Sequence, residues 1–245
     1  MYSDNILGSN ITISSLKPLN NFNSNQVSDK VYYSQAGQDK FIMNVLNDKM
    51  YGIFLEIGSY HPFVINNTYV LEKKYNWRGI MIEYDKSFLP LYIEHRSNSI
   101  YVMEDATKID YKHLFETNNM PLNIDYLQID LEVNNRSTLT TLELLDDQIF
   151  EKYTFATITF EHDIYTGDFY NTRAKSREIL TKRGYICVFK DICESGPEVV
   201  FEDWYVHPKL VNMEYINKLM DINKVNYIKN NITGESINNK DIVYH

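Results

Sequence analysis

The sequence predicts an α/β fold: a seven-stranded, mostly parallel sheet with an antiparallel last strand and helices on both faces. Three observations carry this expectation. Short apolar, β-branched or aromatic runs alternate with amphipathic stretches from Tyr33 to Arg183, the rhythm of parallel strands joined by crossover helices. The last two strand-like runs, Tyr185–Phe189 and Val199–Val206, are parted by a Gly196-Pro197 turn with no helix between them, so one of them runs against the rest of the sheet. Finally, an acidic residue ends strand after strand.

Residues 1–30 are polar, rich in Asn and Ser and without periodicity, and read as a flexible leader. A single domain is expected over 31–208. It starts with a short helix, Ser34 near its beginning and Phe41, Ile42, Val45 and Leu46 at helical spacing. Ile53–Ile57 is the first strand, and Gly58 breaks it into a turn. Asn67–Tyr75 is a helix, with Val70, Leu71 and Lys74 defining an inner and an outer face. Gly79–Glu83 is the second strand, Ser87–Arg96 a helix, and Ile100–Met103 the third strand, ending at Glu104-Asp105-Ala106. Ile124–Leu131 is the fourth strand. Ser137 is placed as the N-cap of a helix carrying Leu139, Leu142, Leu145 and Ile149. Thr154–Phe160 alternates as a fifth strand and ends at Glu161-His162-Asp163. Thr172–Arg183 is helical, and Gly184 stands where a terminating glycine belongs. Residues 209–245 hold one helix, Met213 to Ile222, and an Asn-rich end.

Bulk properties narrow the function. With 44% hydrophobic and 14% aromatic residues in 245, the chain is long and apolar enough for one buried core. A net charge of −9 and no basic block argue against a protein whose task is gripping nucleic acid. Cys187 and Cys193 fit a reducing compartment and do not make a zinc site. The N-terminus shows no basic region followed by an apolar core, and no apolar run approaches the roughly 20 residues that cross a bilayer. The expected location is therefore cytoplasmic, bacterial or that of a virus's host, with no membrane span.

In an open parallel sheet the ligand lies at the C-terminal edge of the strands. Glu56, Glu83, Asp105, Asp130 with Glu132, and Glu161 with Asp163 all fall on that edge. A strand breaking at Gly58, followed by a strand ending in Glu83, is how such a sheet presents a nucleotide-like ligand. The glycine admits close backbone approach, and the carboxylate accepts from both ribose hydroxyls. His162 suits a general base near neutral pH, with Glu161 and Asp130 beside it; the alternative is a histidine that only hydrogen-bonds between loops. The interrupted strand holding Asp203 and Trp204 reads either as a lip over a substrate pocket or as an edge strand whose Trp plugs the core. Asn67 and Thr68 either cap the helix they open or touch ligand.

These residues resemble the FkbM-type methyltransferases from about Tyr33 to Pro208. The resemblance rests on Ser34-Gln35-Ala36-Gly37-Gln38-Asp39, Leu55-Glu56-Ile57-Gly58, Asn67-Thr68 with Leu71-Glu72, Trp77-Arg78-Gly79-Ile80 leading to Glu83, and Asp125 through Glu132. Ile158-Thr159-Phe160-Glu161-His162-Asp163 and Phe201-Glu202-Asp203-Trp204 resemble a bacterial branch of that family. The resemblance implies a Rossmann-like class I fold and S-adenosylmethionine, with Gln35, Glu56, Gly58, Ser59, Thr68, Glu83, Asp105, Ala106 and Asp130 on the cofactor. It also implies O-methylation of a sugar or polyketide hydroxyl, so a glycan or small-molecule acceptor is expected, met by Glu132, Asp163, Asp203 and Trp204. Mg²⁺ held by Asp130, Glu132, Glu161 and Asp163 is an alternative but not a favoured one, because carboxylates beside a sulfonium need no metal to explain them. Two departures stand out: Tyr60-His61-Pro62 replaces the second glycine position, and Val133-Asn134-Asn135-Arg136 follows Glu132. Methylation of RNA at a cap ribose would want a basic track and a catalytic Lys. A non-catalytic binding module is supported only by the depleted glycine loop. A dehydrogenase is opposed by the missing Gly-x-Gly-x-x-Gly.

Overall fold

The computed structural model describes residues 32–193 and 198–221 together with the backbone of Ile6–Leu7. Its strands are β1 Ile6–Leu7, β2 Ile53–Ile57, β3 Arg78–Glu83, β4 Ile100–Met103, β5 Asn123–Ile129, β6 Thr154–Glu161, β7 Ile186–Cys193 and β8 Val200–Val206. The helices are α1 Gln38–Val45, α2 Tyr69–Tyr75, α3 Leu89–His95, α4 Tyr111–Thr117, α5 Ser137–Gln148 and α6 Thr172–Lys182, and a further helix covers 213–221. The sheet order is β1-β4-β3-β2-β5-β6-β8-β7. Strands β2 to β6 are parallel, while β8 inserts antiparallel between β6 and β7. This is the expected α/β layout, a mostly parallel sheet closed by an antiparallel strand. One strand lies beyond the seven predicted: Ile6 and Leu7, assigned to a flexible leader, pair antiparallel with Val102 and Tyr101 on the outer edge. The rest of the leader, the Gly196-Pro197 turn and the tail beyond 221 lie outside the described residues.

Strand parity divides the core into two layers. Leu55, Ile57, Ile80, Ile82, Leu127, Ile129, Ile158 and Phe160 face α4, α5 and α6. Phe54, Met81, Tyr126 and Trp204 face α1, α2, α3 and the 213–221 helix. The parallel strands β2, β3, β5 and β6 thus bury both faces, as parallel strands do.

Several expected boundaries shift for local reasons. Helix α1 starts after Gly37, at φ 90°, and not at Ser34, whose hydroxyl instead donates to Asp39 Oδ1 (2.5 Å). Ser137 is the first residue of α5; Arg136 precedes it at φ 71°, and Asn135 Oδ1 accepts from the Ser137 amide at 3.0 Å. Helix α4 was not predicted; Asp110 caps it by accepting from the His113 amide at 2.8 Å.

Candidate active site at the strand tips

The order of the strands reverses between β2 and β5, so the ligand crevice of this sheet opens at their C-terminal ends. The Asp130 amide donates to the Ile57 carbonyl at 3.0 Å, tying the β5 tip to β2, and the Gly58 amide to the Ile82 carbonyl at 2.9 Å, tying β2 to β3. Gly58 has φ +76°, and a Cβ there would lie 1.6 Å from the Asp130 carbonyl oxygen. The glycine expected to admit a ligand therefore first admits the neighbouring strand tip. Ser59 is buried, its hydroxyl 2.6 Å from Tyr92 Oη.

Glu83 ends β3 with its carboxylate turned to the crevice loops. Its Oε2 accepts from the Tyr60 amide and its Oε1 from the Asp85 amide, both at 2.7 Å. A carboxylate offers about four lone-pair sites, so acceptor capacity remains on each oxygen. Next to it is a cleft of about 400 Å³ walled by Ile82, Tyr84, Glu104, Asp105, Ala106, Thr107, Leu131, Glu132, Asn135 and Ser137. A second hollow of about 500 Å³ shares Tyr84, Glu104 and Asp105 with it. These volumes suit a nucleoside-sized ligand. Asp105 caps the turn below the cleft: its Oδ1 accepts from the Thr107 amide and hydroxyl, and its Oδ2 pairs with Lys108. The Lys108 bond holds its carboxyl below the ordinary value. The Ala106 side chain is buried in the cleft wall.

A stripe of carboxyls crosses the tips of β5, β6 and β8 on the α1–α3 side. Asp130 and Glu161 hydrogen-bond to one another, and burial pushes both upward, Glu161 well above a normal carboxyl because Asp130 adds repulsion. Burial and the Asp130 charge lift Asp163 to about 6. Glu202, opposite Glu161 in the β6–β8 register, is buried and pushed up to about 8. Its Oε2 accepts from Gln38 Nε2 at 3.0 Å and Trp204 Nε1 at 2.6 Å. Asn67 Nδ2 donates to Gln128 Oε1 (2.7 Å), and Gln128 reaches Asp130. Glu202 and Gln128 are the partners that sequence reasoning did not assign to the site. Their spacing along the chain carries no periodic signal.

The structure does not bring all the expected residues to the crevice. His162 shares parity with Ile158 and Phe160, and so points to the α6 side, away from Asp130. It is buried, with Nε2 3.6 Å from Asp203 Oδ1 and without a hydrogen-bond partner. The expectation that it acts as the base beside Glu161 is corrected accordingly. Asp203 is fully buried and takes a two-pronged bond from Arg177 (2.7 and 2.8 Å). Burial opposes its charge, but Arg177 and His162 outweigh this and hold its carboxyl well below the ordinary range. Trp204 is fully buried against Phe41 and Phe189, the core plug and not the lip, so neither residue offers surface to a substrate. His162, Asp191 and Asp203 each present a ligand atom within 4.8 Å of the others. Arg173 and Arg177 already neutralise the two carboxylates, leaving no charge for a cation to balance. Glu56 is also fully buried, beneath the loop, where its Oε2 accepts from Thr68 Oγ1 at 2.6 Å. Burial raises it to about 7. Glu56 and Thr68 therefore support the crevice from below. Gln35 lies exposed, and Glu132 is exposed on the cleft wall.

No family model and no curated protein matches the chain. Solved structures it is similar to include a protein described as an rRNA-methylase from Clostridium thermocellum, at 12% identity, with 72% of this chain and 99% of that one covered and a TM-score of 0.47. A TehB-like SAM-dependent methyltransferase from Corynebacterium glutamicum matches at 10% identity over 76% and 92%, with a TM-score of 0.45. TrmK of M. capricolum, in complex with S-adenosyl-homocysteine, matches at 13% identity over 81% and 88%, also at 0.45. Likenesses of this size carry no argument about activity.

Proposed function

We propose that the protein is an S-adenosylmethionine-dependent O-methyltransferase acting on a sugar hydroxyl in glycan or polysaccharide synthesis. One observation carries the reading: the sheet reverses its order between β2 and β5, where a nucleoside-sized cleft opens and where the carboxyls of Asp130 and Glu161 stand at the tips of β5 and β6. The residues present fit the cofactor. Glu83 keeps acceptor capacity for two ribose hydroxyls, the cleft wall at Ala106 and Leu131 is apolar enough for a purine, and the carboxyls complement a sulfonium and an ammonium. When bound, S-adenosylmethionine supplies an electrophilic methyl group and leaves as S-adenosylhomocysteine.

The chain's own task is to place the acceptor oxygen and take its proton. The Asp130–Glu161 pair is suited to this, because two carboxyls that repel each other hold one proton between them and their ionised member is a stronger base than an isolated carboxylate. The acceptor O–H bond breaks toward that pair as the O–C bond forms, and the proton stays on the carboxyls until solvent removes it. Asp163, half-buried and lifted to about 6, relays it outward.

Transfer of label from methyl-labelled cofactor to neutral sugars, nucleotide sugars and capped RNA tests the acceptor. Label in a sugar is expected. Label in RNA alone would replace the proposed acceptor while leaving the methyltransferase intact.

A further inference from the structure

The loop from Ser59 to Thr68, which closes one side of the crevice, has an unusual backbone for its sequence. Tyr60 and Ile65 adopt φ 48° and φ 51°, a left-handed conformation that is costly for a β-branched residue and persists only where its surroundings impose it. The source of that constraint is Arg96, just after α3, whose side chain is fully buried. Its Nη1 donates to the Pro62 carbonyl and to Asn66 Oδ1, both at 3.0 Å, and its Nη2 to Thr68 Oγ1 at 2.6 Å. Its Nε donates to Glu72 Oε2 of α2 at 2.9 Å, and Glu56 Oε2 lies 4.0 Å away. Asn66 in turn donates to the Ser59 carbonyl at 3.1 Å, so the two ends of the loop are tied together through the same guanidinium.

We infer that Arg96 is a positioning residue for cofactor binding: its fork fixes the 59–68 loop so that the Tyr60 amide orients Glu83 toward the ligand. The inference rests on the methyltransferase reading and adds to it a residue some distance from the reacting atoms. Only a planar fork with several donors serves three loop acceptors and a carboxylate at once; a lysine supplies charge without that geometry. Glu83 is the point of leverage, because the Tyr60 amide that holds its Oε2 belongs to the constrained loop.

The test is calorimetric titration of the full chain with S-adenosylmethionine, with acceptor kinetics, for wild type and Arg96→Lys. A rise of at least tenfold in cofactor Kd with an unchanged acceptor KM is expected. A general loss of packing would move both constants. If Arg96→Lys fails to fold, Thr68→Val removes one arm of the clamp, and a rise of severalfold in cofactor Kd alone is expected. A folded Arg96→Lys, or in its place a folded Thr68→Val, that binds within twofold of wild type overturns the inference. Wild type that binds no cofactor at millimolar concentration overturns the methyltransferase reading, and the inference with it.

Discussion

Glu202→Gln isolates one buried, electrostatically costly member of the carboxyl stripe. Glu202 is buried, and its carboxyl stands at about 8 against an ordinary 4.5. At about 1.36 kcal/mol per pH unit, ionising it inside the fold is disfavoured by on the order of 5 kcal/mol. The folded-state value is raised, so wild-type stability is fully present below pH 4.5 and falls as pH climbs from there through about 8. The amide of the Glu202→Gln variant would keep an oxygen for Trp204 Nε1 or Gln38 Nε2 and would not titrate. Urea unfolding at pH 5 and pH 8.5 measures the effect, because titration at Glu56 and other groups outside the carboxyl stripe is common to both proteins and cancels in the difference. Near pH 5 the two should agree within about 1 kcal/mol, a lost hydrogen bond being worth about that much. At pH 8.5 the variant should be the more stable by roughly 2–4 kcal/mol. A gap of the same size at both pH values would refute the claim that Glu202 is held neutral.

Gly58→Ala should cost 3 kcal/mol or more in urea unfolding, because its Cβ meets the Asp130 carbonyl at 1.6 Å and its φ is +76° (order of magnitude from about 1–3 kcal/mol for such strain plus the overlap). Asp130→Asn removes the repulsion that lifts Glu161, so the rising acid limb of the kcat/KM–pH profile should move to lower pH, with a kcat loss of about 10²–10⁴ if the pair is the base. His162→Gln should lower the melting temperature yet leave cofactor Kd within about twofold, since the histidine lies among Asp203, Asp191 and Arg177 away from the crevice; a matching collapse of kcat would restore it as the base.

The strand-and-helix alternation was legible because parallel strands buried on both faces leave unbroken apolar runs such as Phe54-Leu55 and Ile80-Met81-Ile82, and because Gly58 and Gly184 mark real turns with positive φ. Helix α4 was not legible: its seven residues present Tyr111, Leu114 and Phe115 among Lys112, His113 and Glu116, too short a pattern to stand out. Strand-tip acids located the crevice, but a tip residue's direction depends on parity. Glu161 follows Thr157 and Thr159 toward α1, whereas His162 follows Ile158 and Phe160 toward α6. That information lay in the alternation of Thr154–Glu161 and was outweighed by the chemical appeal of a histidine. Contacts such as Gln38 to Glu202, 164 residues apart, leave no local trace, and the buried Arg96 lay at the end of an apparently solvated helix.

Calorimetric titration with S-adenosylmethionine, on wild type and Glu83→Ala, tests the function of the crevice most directly. Binding with a Kd between about 1 µM and 1 mM, weakened at least tenfold by Glu83→Ala while the variant stays folded, is the expected result. No binding by folded wild type at millimolar cofactor, or equal binding by both proteins, would contradict the placement of the cofactor at these strand tips.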